Sequence, residues 1–166
     1  MGLKDDLINE LEYTRKEFIQ LVASVPEQLY GHPSANPAWT IGEVLYHITL
    51  GPPAIRTEIW MIRHANRLFA ALMNDWTAGI FNWGNALFAR HPKRITRKKL
   101  VEAYERGHAG LLKSLRRMPE QDLSKSILYP KAFVPELAGV VTAERLFRYI
   151  KLHFQVHAEQ IRASLG

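Results

Sequence analysis

The stretch TAERLFRYIKLHFQVHAEQI, residues 142–161, decides the fold. Leu146, Ile150, His153, His157 and Gln160 follow one another at intervals of four, three, four and three. That spacing is the stripe of a helix packed lengthwise against other helices. Thr142 stands where an N-cap belongs, and Val141 and Leu146 are spaced as a hydrophobic staple across the start. Two positions of this inward stripe are imidazoles, where Leu, Ile or Phe is the usual choice.

Other segments carry the same helical signature. Leu7, Leu11, Thr14, Phe18, Leu21 and Val25 repeat the interval before Pro26 stops the run. In WTIGEV (39–44), Thr40 and Glu43 form a capping box, with Trp39 and Val44 as its staple. Ile41, Val44, Leu45 and Ile48 follow as an apolar face with His47 beside it. Pro52 and Pro53 predict a kink or break near 50–53, with the helix resuming over 54–73. The aromatic and glycine-rich stretch 74–92 predicts a short extra helix around 77–90. A further long helix is expected over 96–118, where Gly107 and Gly110 allow a close neighbour. The connection 119–141 contains prolines and no alternating pattern, so irregular structure is expected there. Four main helices make an all-α, antiparallel four-helix bundle with at least one long connection, in a single domain over 1–166.

Composition excludes several chemistries. There are no cysteines among the 166 residues. Disulfides, iron–sulfur clusters, thiolate zinc sites and a cysteine nucleophile are therefore absent, and any metal must take nitrogen or oxygen ligands. The sequence shows no signal peptide and no membrane-length apolar run, so the expected location is cytoplasmic with no membrane partner. The net charge is +6, concentrated in RHPKRITRKK (90–99). This cluster reads as a solvated loop, as an anion site near the expected N-cap Thr96, or as a binding module. It lacks interleaved stacking aromatics, so nucleic acid is not expected as a partner. Trp76, Phe81, Trp83 and Phe88 could form a patch for a homodimer or a dimeric scaffold, or pack over the bundle.

The chemistry sits in the imidazoles. A four-residue step returns to the same helix face, so His153 and His157 can reach one metal ion. His47 lies at a comparable depth on another capped helix. The alternative is a pair of core histidines hydrogen-bonded to neighbours. Tyr149, one turn before His153, could place a phenol near the ion or simply pack. Gln160 could orient His157 or cap the stripe. Glu43 is read first as a cap. His108 is a candidate fourth ligand, whereas His32, His64 and His91 read as surface or loop residues. No catalytic residue is identifiable, since neither a nucleophile motif nor a convincing carboxylate pair is present.

WTIGEVLYHI (39–48), HFQVHAEQI (153–161) and the approach ELAGVVTAERLF (136–147) together resemble the DinB/YfiT-like superfamily, in order and over the whole chain. The resemblance implies a four-helix bundle with a long crossover. It implies a metal triad at His47, His153 and His157, holding nickel, zinc or iron. It also implies an enzyme acting on a small-molecule substrate, of the thiol-dependent transferase or isomerase type with a low-molecular-weight thiol, or a hydrolase. Arg145, Arg148 or the 90–99 cluster would then receive an acidic thiol.

Overall fold

The computed structural model describes residues 2–74, 76–80, 84 and 95–166. Four long helices dominate: α1 (Leu3–Ser24), α2 (Ile41–His64), α4 (Arg97–Arg117) and α5 (Ala143–Leu165), with a short α3 (Asn66–Leu72) after α2. Leu7, Leu11, Thr14, Phe18 and Leu21 are buried along α1, and Val25 just beyond its end, as their spacing predicts. α1 packs on α4 and α5, and α2 packs on the same two. α1 and α2 therefore stand at opposite corners of the bundle.

The core has two ends. One joins Leu7 and Leu11 of α1 to Ile59 of α2, Leu115 of α4 and Leu146 of α5. The other joins Phe18 and Val22 to Val44, Leu100 and Phe154. Following each helix between these ends gives its direction. α1 and α5 run one way, α2 and α4 the other. The neighbours α2 and α4 are thus parallel, so the segment 65–96 must cross back along the bundle. Phe69 of α3 and Ala78 anchor that crossover in the first core end. Residues 76–80 are helical. Apart from residue 84, the rest of the helix expected at 77–90 lies outside the described residues, as do Phe81, Trp83, Phe88, His91, Arg90, Lys93 and Arg94.

Of the kink or break expected near 50–53, the break does not occur, since α2 is helical through both prolines. Two lost amide bonds are few beside the buried flanks, Ile48 and Thr49 before and Ile55 and Ile59 after. Room for the rings comes from α4. A Cβ on Gly107 would lie 2.8 Å from Pro53 Cδ, and one on Gly110 would lie 2.6 Å from Arg56 Nη1. α2 stops at Ala65 instead of continuing to 73, and α3 starts anew.

The connection after α4 also differs from its sequence reading. It contains a two-stranded antiparallel ribbon, β1 (Ser126–Tyr129) and β2 (Gly139–Thr142), in register Ser126 with Thr142 and Tyr129 with Gly139. Pro130 and Pro135 fall outside the strands, where they remove no ladder bond. Four residues per strand are too few to show a period. At the start of α4, Glu27 Oε1 accepts from Arg97 N at 3.1 Å, and Arg97 Nη2 donates to Val25 O at 3.1 Å. The chain's own Glu27 thus meets the positive helix end at Thr96. No helix among the described residues is long and apolar enough to cross a membrane.

Candidate metal centre

The start of α2 is fixed by the capping box. Thr40 Oγ1 accepts from Glu43 N at 3.3 Å, and Glu43 Oε2 accepts from Thr40 N at 2.8 Å. Glu43 is therefore engaged as a cap. His47 lies one turn further on, buried. α5 begins at Thr142, whose hydroxyl accepts from Arg145 N at 3.1 Å. Because α2 and α5 are adjacent and antiparallel, His47 comes to rest opposite His153 and His157.

The three rings form a closed group, with centroids 4.6 Å apart for His47–His157, 4.7 Å for His153–His157 and 4.9 Å for His47–His153. His47 Nε2 and His153 Nε2 are 3.0 Å apart. Two nitrogens bound to one ion at about 2.1 Å would be roughly 3.0 Å apart in octahedral and roughly 3.4 Å apart in tetrahedral coordination. One ligand atom from each histidine lies within 4.8 Å of the others. His157 donates from Nδ1 to Gln160 Oε1 at 2.9 Å, which leaves its Nε2 with a free lone pair. His47 Nδ1 is buried without a hydrogen-bond partner among the described residues.

Electrostatics keep the cluster uncharged. Burial, then His157, pushes His47 down to about 3. Burial, then the other two rings, holds His153 well below its usual value. Burial lowers His157 also, opposed by its bond to Gln160 and by the Glu136 carboxylate. Three neutral imidazoles with converging lone pairs repel protons and suit a cation of higher charge. These residues fit a divalent metal.

Packing sets the ring positions. Trp39 lies against His47, with centroids 4.6 Å apart. His153 sits over Gly51, where a Cβ would be 3.1 Å from its Nδ1. On α2, His47, Gly51, Ala54 and Glu58 follow at intervals of four, three and four, and all line one cavity of about 290 Å³. The triad occupies one end. At the other, Tyr129 of β1 donates to Glu58 Oε2 at 2.7 Å. Burial pushes Glu58 up to about 7, against the pull of that bond. Tyr149 of α5 also lines the cavity, and burial, then Glu136 and Glu58, pushes its hydroxyl up to about 12. Phe133, Glu136 and Leu137, from the segment between the strands, complete the wall.

Several candidates fall elsewhere. His108 is buried on α4 with its Nε2 3.4 Å from Glu12 Oε1, outside the cluster. Arg145 donates to the backbone oxygens of Val140 and Glu136, at 3.1 and 2.9 Å. Arg148 pairs with Glu144 and Glu10. Neither arginine lines the cavity. His32 and His64 are exposed. Sequence reasoning missed Gly51, Glu58, Tyr129 and Glu136. Only the shared α2 interval of His47, Gly51 and Glu58 could have pointed to two of them.

Two solved structures share this architecture. The mycothiol-dependent maleylpyruvate isomerase superposes with a TM-score of 0.70 at 13% identity, covering 98% of this chain and 62% of that one. A histidine-to-alanine mutant of that enzyme gives 0.68 at 13% identity with the same coverage. This chain therefore spans about 62% of their length, and at such identity the likeness is one of fold. No curated protein matches the sequence. The family model described as the DinB superfamily matches residues 10–161. Since that match runs from the first helix into the last and takes in all three clustered histidines, the chain belongs to the DinB superfamily.

Proposed function

We propose that this chain is a metal-dependent enzyme holding one divalent ion, nickel, zinc or iron, through His47, His153 and His157. The observation that carries this is the convergence of three neutral imidazoles at the wall of a cavity large enough for a small molecule. When bound, the ion supplies Lewis-acid polarisation of a coordinated oxygen or sulfur. The chain's own residues do the positioning. Gln160 fixes the tautomer of His157. Gly51 gives His153 its seat, and Trp39 covers the His47 ring. Phe133 and Leu137 wall the cavity with apolar surface.

The reaction class we infer is thiol-dependent transfer or isomerisation of a small molecule. The chain has no cysteine, so a thiol must arrive as a low-molecular-weight co-substrate. The mycothiol-dependent isomerase that shares the fold supports this class. The test is metal analysis of protein purified without a nickel column. About one equivalent is expected in wild type, with nearly all of it lost in His47→Ala and His153→Ala. A content below about a tenth of an equivalent, unchanged in the variants, overturns the proposal.

A further inference from the structure

The cavity wall beyond the three histidines has a chemistry of its own. Two carboxyl groups, Glu58 and Glu136, line it together with the phenols of Tyr129 and Tyr149 and the ring of Phe133. Glu58, with Tyr129 bonded to it, lies farthest along α2 from His47, whereas the Tyr149 ring is 5.8 Å from that of His153 and the Glu136 carboxylate acts on His157. The chain as a whole is basic, with 22 Lys and Arg against 16 Asp and Glu. Yet among the described residues no lysine or arginine lines this space. Among the same residues, neither Glu58 nor Glu136 belongs to an ion pair. The hydrogen bond from Tyr129 occupies one oxygen of Glu58. An enclosed carboxyl with no cation facing it either keeps its proton or waits for a positive partner. The upward push on Glu58 agrees with that state. Aromatic faces beside carboxylates are the surroundings that attract an organic ammonium group.

We propose that this cavity binds a small organic cation, with Glu58 and Glu136 as its counter-charges and Tyr129, Tyr149 and Phe133 as its walls. The proposal names the substrate class for the cavity already described, and rests on that reading only in taking the cavity as the substrate site. Glu58 stands eleven residues beyond His47 on α2, about 16 Å of helix rise. A cationic group against Glu58 would therefore sit away from His47, with Tyr149 between it and the His153 ring. The two carboxylates would also offset the charge a divalent ion brings.

The probe is phenyltrimethylammonium, which is permanently charged and cannot coordinate a metal. Its neutral isostere tert-butylbenzene and the anion benzenesulfonate are the comparisons. Binding is measured by calorimetry on the full chain, as purified and after chelator treatment. The cation is expected to bind about tenfold or more tighter than either comparison in both preparations. Glu58→Gln and Glu136→Gln are each expected to weaken it about fivefold or more, while leaving tert-butylbenzene unaffected. Glu58→Gln keeps the side-chain volume and can still accept from Tyr129. If that variant does not fold, Glu136→Gln, at an exposed position, carries the test alone. Equal binding of cation and anion, or a cation affinity untouched by the folded variants, overturns the proposal. Because the chelator-treated arm needs no ion, a chain that binds no metal but prefers the cation refutes the metal reading and leaves this one standing.

Discussion

Gly51 faces His153 from the middle of α2, in a position that sterics reserve for it. A methyl group there would lie 3.1 Å from His153 Nδ1 and 3.3 Å from Cε1, so the ring would have to move by a few tenths of an ångström. Helix propensity works the other way, since Gly→Ala within a helix gains roughly 1 kcal/mol. Gly51→Ala is therefore expected to hold or raise the thermal midpoint of metal-free protein while weakening metal binding about tenfold or more. A competition titration against a chromophoric chelator reads the second effect. A variant that binds metal as tightly as wild type would show that the ring has slack. The three histidines were legible because imidazole on an apolar stripe is conspicuous and its spacing is fixed by the helix. Gly51 was barely legible: it shares the helix interval of His47, but a glycine has no side chain to mark what its face meets. Glu58 and Tyr129 were hidden for another reason: their meeting depends on how β1 lies against α2.

Among the elements, the parallel pair α2 and α4 depends on matched small and large residues. Gly107 receives Pro53, and Gly110 receives the Arg56 guanidinium. Gly107→Ala would place a Cβ 2.8 Å from Pro53 Cδ, an atom held in a rigid ring. Overpacking of this kind outweighs the gain in propensity, so a net loss on the order of 1–2 kcal/mol is expected in chemical denaturation. Gly79→Ala is the matched control, because among the described residues nothing lies within 4 Å of its Cβ position, and it should be neutral or stabilising. If both variants shift alike, helix propensity and not the α2–α4 approach governs Gly107. The caps at Thr40, Thr96 and Thr142 could be read from the chain, since each is a local arrangement of a few residues. The continuity of α2 through Pro52 and Pro53 could not. It rests on a glycine more than fifty residues away in sequence, about which local rules are silent. The ribbon escaped for a similar reason, as its two short strands find each other only across an intervening loop.

For the whole molecule, the cavity carboxyl makes folding depend on pH. Below pH 4.5 Glu58 is protonated whether the chain is folded or not. Above it the unfolded chain ionises first, while the folded chain keeps the proton until about 7. Stability is therefore lost across that window and levels off above it. Glu58→Gln removes the loss, so its advantage over wild type should grow between pH 4.5 and 7, by on the order of 3 kcal/mol. Urea midpoints across that range measure it, and comparing the two proteins cancels the histidine contributions they share. A constant difference would mean that Glu58 ionises freely in the folded state. The bundle's directions were only partly readable, because helix lengths say nothing about which neighbours run in parallel. The chain path has one more effect, on the order of events. His47 and His153 are 106 residues apart. An unfolded chain can offer an ion only the local pair His153 and His157, and the third ligand arrives when α2 docks on α5 across the long stretch of chain between them. Loop closure of that length is slow. Metal capture at the proposed centre is thus a late step that follows assembly, and the rate at which newly made chains acquire metal should track their folding rate.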